Sequence, residues 1–227
     1  MGKEEDLKTG LFESIIEWIR QSHAETIDKA YEYFWDEETP DEFLKGTALT
    51  LGFINFEDWL IFDYRVNEEK ETFLDLYVKD HADLSDEARD LICKVKGSLL
   101  SLYEVISVSK DKRVLLKDLL LEGEFSLRNK TLTKGLKKGD IFATRLLTLD
   151  GNTVISGCVY PYSPDRKKDL LASINKQFKR YIKNVDATGT MADYLREYGD
   201  VFNLLWMRFI MDAKADREKS SATPPEA

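Results

Sequence analysis

Apolar residues recur at spacings of three and four from Gly10 to Trp35: Leu11, Phe12, Ile15, Ile16, Trp18 and Ile19, then Ile27, Ala30, Tyr31 and Phe34. The spacing predicts one long helix, or a helical hairpin broken near Ser22-His23. Pro40 follows Thr39 and precedes Asp41 and Glu42, which predicts a second helix capped by Thr39 and ending before Gly52. In the run NFEDWLIFDYR, Asn55 reads as an N-cap, Asp58 as its capping-box partner, and Ile54 with Trp59 as a hydrophobic staple. That predicts a new helix start at Asn55, on a helix with almost no polar face and therefore largely buried. Two further helices are expected, one from about Glu68 to Lys79 with Phe73, Leu74 and Tyr77 inward. The other follows Ser85, with Ala88, Leu91, Ile92 and Val95 inward.

The period then changes. LLSLYEVISVS, RVLLKDLLLEGEFSLR and DIFATRLLTL-DG-NTVISGCVY are rich in β-branched and aromatic residues, and Asp150-Gly151 joins the last two runs as a hairpin turn. A small antiparallel sheet or partly open barrel is expected between about residues 99 and 161, with TLTKGLKKG as a short helical turn or loop inside it. Ser163-Pro164-Asp165 opens a helix to about Val185, and Thr190 with Asp193 opens a last helix to about Asp212. The fold class is α+β: a small antiparallel sheet or partly open barrel flanked by N-terminal and C-terminal helices. Residues 1–98 form an acidic helical part, 99–162 the β part, 163–212 the last helices and 213–227 a disordered tail, together one integrated domain.

Composition adds a charge asymmetry. The 227 residues are 43% hydrophobic, enough for a proper core, and carry a net charge of −9. Residues 1–100 hold 11 Lys/Arg against 25 Asp/Glu, whereas residues 101–227 hold 22 against 17, so the two halves present opposite fields. Two distant cysteines, Cys93 and Cys158, argue against a disulfide framework and read as reduced and buried. The start lacks a basic region followed by an apolar core, and no apolar run approaches the ~20 residues that span a bilayer, so a cytoplasmic protein with no membrane partner is expected.

FEDWLIFDYR, the helical stretch after it, LSDEARDLI, SLYEVISV, VLLKDLLLEGEFSL and GDIFATRLLTLDG occur in this order over roughly Phe53 to Tyr162. In that order they resemble an uncharacterised bacterial domain often found in proteins that also carry a SEC-C zinc-binding motif. The resemblance implies a cytoplasmic bacterial α+β protein, in the company of proteins whose zinc motif is associated with docking to other macromolecules. Two cysteines and two histidines cannot build that cysteine-rich motif, so neither zinc nor a zinc-dependent role carries over.

Candidate chemistry is sparse. Asp58 and Asp63 are five residues apart, about 140° round a helix, and converge only with help from another element. Asp63 and Arg65 read as an ion pair, or as the acid/arginine site of an uncharacterised enzyme. His23 and His81 sit at a helix break and a helix end, not at metal-site spacing. No phosphate-binding glycine loop, nucleophile elbow or paired-cysteine motif is present, and no cofactor or metal is expected. The sharper feature is the helix from Pro164 to Val185, which carries Arg166, Lys167, Lys168, Lys176, Lys179, Arg180 and Lys183 against Asp165 and Asp169. Its face with Lys176, Lys179, Arg180 and Lys183 is the expected contact surface, which Lys130, Lys134, Lys137 and Lys138 extend. The leading expectation is a non-catalytic interaction or assembly module with a protein partner or self-association. The alternatives are an accessory protein contacting RNA or DNA through the basic helix, and the enzyme at Asp63.

Overall fold

The computed structural model describes residues 3–129 and 131–222, with side chains to residue 215. α1 (Lys3–Ser22) and α2 (Ala24–Phe34) meet at His23, where the apolar spacing predicts the break. α3 (Pro40–Phe43) is a single turn, and Thr39 makes no side-chain capping bond. α4 (Thr47–Phe62) then passes through both Gly52 and Asn55 without interruption. Two sequence expectations are overturned there, the stop before Gly52 and the start at Asn55. Gly52 marks a close approach rather than a stop, because a Cβ at that position would lie 2.8 Å from the Trp35 ring and 3.0 Å from Leu44. Asn55 is fully buried and spends its amide on the backbone of Val159, just before β6 begins far along the chain.

The next two helices start at local capping signals, of which the sequence reading took up only Ser85. Thr72 and Asp75 form a reciprocal capping box at the start of α5 (Phe73–Asp80), so that helix begins later than about Glu68. Ser85 caps α6 (Asp86–Lys96), accepting from the Ala88 N–H at 3.2 Å, and Ala88, Leu91, Ile92 and Val95 are buried as predicted. Cys93 is exposed on α6 and Cys158 is buried, so only one of the two free thiols is a core residue.

Six strands follow: β1 (Leu100–Ser109), β2 (Arg113–Asp118), β3 (Glu124–Leu127), β4 (Ile141–Leu149), β5 (Asn152–Ile155) and β6 (Tyr160–Tyr162). The short α7 (Leu132–Gly135) lies between β3 and β4. Asp150 and Gly151 both have positive φ, 48° and 70°, as the tight hairpin between β4 and β5 requires. The order β1-β2-β3-β5-β4 closes back on β1, because β1 also pairs with β4. Every pairing is antiparallel except β3 with β5. β6 continues along β4 after a bulge: Leu146 pairs with Ile155 but Ala143 pairs with Tyr160, so the bulged strand carries two extra residues.

Strand alternation sorts two cores. Tyr103, Val105, Val114, Leu116, Leu127 and Phe142 fill the barrel. Ile141, Ala143, Leu147 and Leu149 of β4, with Leu100, Leu102, Tyr160 and Tyr162, face outward and join the helices in one large cluster. A 3-10 turn at Pro164–Arg166 leads into α8 (Lys167–Asn184). The expected last helix is two helices, α9 (Met191–Glu197), with the Thr190–Asp193 capping box, and α10 (Val201–Ala222). The break falls at Gly199, where a Cβ would sit 3.2 Å from the Leu195 carbonyl and 3.4 Å from the Asp63 carboxylate. α10 runs on to Ala222 into the expected tail, whose residues 223–227 lie outside the described residues. Among the described residues no helix is long and apolar enough to cross a membrane.

Gly52 gives a prediction whose sign runs against helix propensity. Gly→Ala inside a helix ordinarily stabilises by about 1 kcal/mol. Here the new methyl meets the fully buried Trp35 ring, and overpacking costs about 1–3 kcal/mol. Gly52→Ala is therefore expected to lower the urea midpoint at unchanged m-value; a raised midpoint would contradict the packing assigned to Trp35.

Candidate functional site

Arg145 lies on the helix-facing side of β4, between Ala143 and Leu147, and its side chain is fully buried. A guanidinium there needs acceptors on every side it presents. Its Nε donates to Asp58 Oδ1 at 2.9 Å, one Nη donates to the Ser98 carbonyl at 2.9 Å, and the other donates to Asp63. The Phe62 ring lies 4.4 Å from its Cζ. Asp58 comes from the middle of α4 and Asp63 from its C-terminal cap position, so one strand residue brings together two carboxylates that the helix alone keeps apart. Two carboxylates share one cation. Burial, opposed by Arg145 and reinforced by Asp58, pushes the Asp63 carboxyl up to about 6.

The expected Asp63–Arg65 pair does not form. Arg65 turns to the carbonyls of Lys70 and Arg196, at 3.2 and 3.1 Å, and its Nε is buried without a partner among the described residues. The hollow beside Asp63 and Arg65, lined also by Thr72, Ser98 and Arg196, holds about 150 Å³. Arg145 is the residue that sequence reasoning missed. Its signal was present: in IFATRLLTL it occupies the face otherwise held by Ile141, Ala143, Leu147 and Leu149, where a cation requires buried acids.

Beside this ion cluster the β5–β6 bulge opens a groove. Asn55 clamps it, its amide donating to the Val159 carbonyl at 3.0 Å and accepting from the Val159 N–H at 2.8 Å, in place of a neighbouring strand. The Thr144 hydroxyl donates to the Cys158 carbonyl at 2.7 Å. The groove runs between α1, α4 and Ser156–Gly157–Cys158 and holds about 600 Å³. Asp58 lies on its floor and Lys8 on its wall, donating to the Ser156 carbonyl at 2.9 Å. Burial lowers the Lys8 pKa, and burial raises that of the Cys158 thiol, which is accordingly inert. A neighbouring hollow of about 250 Å³ lies beyond the Arg20–Glu57 ion pair, and Ile54 and Phe53 are exposed at the two.

The histidines serve packing: His23 and His81 lie edge-on to Trp18, and the His81 Nδ1 meets the Tyr77 carbonyl at 2.9 Å. No group of three or more histidine, cysteine or acidic residues able to hold a metal occurs among the described residues.

The basic residues of α8 stand where the sequence places them. Lys176, Lys179, Arg180 and Lys183 are exposed, and none has an acidic partner within salt-bridge distance among the described residues. Lys167 pairs with Glu104 of β1 at 2.8 Å, and Glu104 stands opposite Lys117 of β2, so α8 begins on the barrel wall. At one end of the barrel the β1–β2 turn carries Lys110 and Lys112, and Arg113 opens β2. The Asp111 N–H bonds to the Thr133 hydroxyl at 3.1 Å, which brings Lys134 of α7 to the same end. Lys137 and Lys138 follow α7 and are exposed; Lys130 lies outside the described residues.

Closed strand order β1-β2-β3-β5-β4, a parallel β3–β5 contact and a helix between β3 and β4 are the connectivity of the OB barrel. Fold and site thus define an α+β protein in which helices are pinned to an OB-type barrel through a buried arginine. The chain belongs to a family of unknown function, DUF7986, matched over residues 53–196. The match takes in Asp58, Asp63, Arg145, the barrel and α8. No curated protein and no solved structure matches the chain.

Arg145→Leu strands two buried carboxylates and is expected to cost about 3–5 kcal/mol of stability by denaturant unfolding. Asp63 supplies a pH signature. Its folded pKa, about 6, exceeds its ordinary value of 3.8. Its contribution to stability is therefore fully present below the ordinary value and lost as pH rises through about 6. Asp63→Asn abolishes that dependence, so the melting temperature of the wild type relative to the variant should fall as pH is raised from about 4 to about 7. A difference that is flat across this window, or that rises, would refute the upward shift of Asp63.

Proposed function

We propose that the protein is a non-catalytic binding protein for single-stranded RNA or DNA, which it holds on the basic face of α8 and the basic end of the barrel. The observation that carries the reading is unpaired positive charge. In a chain of net charge −9, the exposed lysines and arginines of α8, of the β1–β2 turn and of the residues around α7 have no acidic partners among the described residues. Cations left free in this way gain by displacing the counterions of a phosphate backbone. The outward positions of β2 include Arg113 and Lys117, and Arg128 follows the end of β3, on the face and beside the loop with which OB barrels grip strands. Connectivity alone is an analogy, and the charge is what makes it specific to this chain.

A second reading, a protein partner, is supported by the α1–α4 hollows. Phe53 and Ile54 are exposed there beside Glu13, Glu17 and Glu57, a setting that suits an amphipathic helix bearing basic residues. An enzyme at Asp63 finds little support, since its hollow of about 150 Å³ is well below the usual ~300 Å³ of a ligand pocket.

Binding of a labelled single-stranded RNA, followed by fluorescence anisotropy over a salt series, tests the first reading. K176E/K179E/R180E should weaken it at least about tenfold and reduce the slope of log K against log salt by about 2, at roughly 0.7 per phosphate contact. K110E/K112E should weaken it independently. Absence of wild-type binding at low salt sinks the proposal. For the second reading, a stoichiometric partner that co-purifies from the native host should be lost on replacing Phe53 and Ile54 by Glu; recovery of a lone monomer counts against it.

A further inference from the structure

We propose that the cleft between α2, α8 and the start of α10 seats one unstacked base of the bound strand, with Tyr33 as its stacking platform. The proposal rests on the nucleic-acid reading for its partner and adds a base site that the charge pattern does not imply. The cleft holds about 360 Å³, and Tyr33, Tyr181, Tyr194 and Tyr198 line it together with Gln177, Arg180 and Asn184.

Tyr33 is the informative residue. It is 57% exposed, far more than a core aromatic. Yet one face of its ring lies parallel to the buried Trp59, 5.8 Å between centroids at 8°. Its hydroxyl donates to Asp200 at 3.0 Å, fixing the far end. Trp59 is in turn wedged against Phe34, Phe56 and Tyr64. An exposed ring held on one face and at its tip offers the other face with little conformational entropy left to lose. Behind it, Tyr194 and Tyr198 stack at 5.6 Å with Tyr181 against both, so the wall is rigid too.

The chemistry around the platform fits a nucleobase, which is apolar on its faces and polar along its edge. Gln177 and Asn184 bring amides to the rim, and amides pair with base edges. Arg180 belongs both to the cleft and to the basic face, with Lys179 and Lys183 beside it in sequence, so a phosphate on α8 and a base in the cleft belong to one nucleotide. The next hollow that Tyr33 lines carries Glu32, Asp36 and Glu37 against Lys29, and besides Tyr33 shares with the cleft only Asp200, whose carboxylate is engaged by the Tyr33 hydroxyl, and Leu204. Repulsion there confines the backbone to the α8 side. A duplex presents no free base face, so the ligand is single-stranded.

The test uses the full chain and RNA of about six nucleotides, within the usual site size for such surfaces. Tyr33→Ala should weaken binding about tenfold, the scale of one base–aromatic stack, whereas Tyr33→Phe, which keeps the ring, should stay within about twofold. Moving a single abasic position along the strand should reproduce the tenfold loss with wild-type protein. That loss should vanish on Tyr33→Ala protein, because the two changes remove the same contact. If K176E/K179E/R180E abolishes binding while Tyr33→Ala and every abasic strand bind as wild type, the base site is wrong and the charge reading survives. If the wild type binds no strand at low salt, both fail. Equal binding of a free nucleoside monophosphate would assign the cleft to a mononucleotide and overturn the strand proposal. Self-association lost in Tyr33→Ala by sedimentation, with RNA affinity unchanged, would assign it to a second copy.

Discussion

The arrangement of this molecule hangs on one fully buried guanidinium. Arg145 reaches from β4 to Asp58 and Asp63 at two points of α4 and to the carbonyl that follows α6, so a single side chain fixes how two helices sit on the barrel. Such a cluster is weak evidence for stability, since desolvating three charges offsets most of their attraction. What it supplies is position. An apolar residue at that place would let α4 slide, whereas a planar fork with fixed donor directions accepts one register.

Around that anchor, polar groups do the work that strands or solvent do elsewhere. The β5–β6 bulge frees backbone groups that β4 cannot pair, and Asn55 takes both groups of Val159 while Thr144 takes the Cys158 carbonyl. Glu4 and Asp150 tie the start of α1 to the β4–β5 hairpin, each carboxylate accepting from the other's backbone N–H. The helical half therefore reads the barrel's irregularities, and the groove between them is a consequence of the bulge. Trp59 links this interior to the surface: it stands one residue after Asp58 on α4, and Tyr33 rests on its ring.

Charge is distributed by a different rule. Acidic excess lies in the N-terminal half and cationic excess in the second half, yet among the described residues no ion pair joins the N-terminal acids to α8 or to the β1–β2 turn. Ion pairs that do join distant segments, such as Lys94 with Glu4, Lys70 with Glu197 and Lys167 with Glu104, use other lysines than Lys176, Lys179 and Lys183. Surface pairs of this kind contribute little to stability, so leaving Lys176, Lys179, Arg180 and Lys183 without acidic partners among the described residues costs the fold almost nothing.

How far the sequence could be read follows the range of each signal. Helix faces, the Ser85 and Thr190 caps, the Asp150-Gly151 hairpin and the exposed cations of α8 depend on neighbours within a few residues, and all of these were legible; the equally local Thr72–Asp75 box was passed over for a start near Glu68. Gly52, Asn55, Asp58 and Asp63 were not, because each has a locally plausible role as stop, cap or ion-pair partner that its distant contact overrides. Asp58 and Asp63 meet Arg145 across 87 and 82 residues, and Asn55 meets Val159 across 104. The sequence by itself determined the α+β class, the strand runs and the segregation of charge, since periodicity and composition are properties of the chain. Barrel closure, the shared guanidinium and the tyrosine cleft were decided only by tertiary structure, because their energies come from groups that chain folding alone brings within hydrogen-bond or stacking distance.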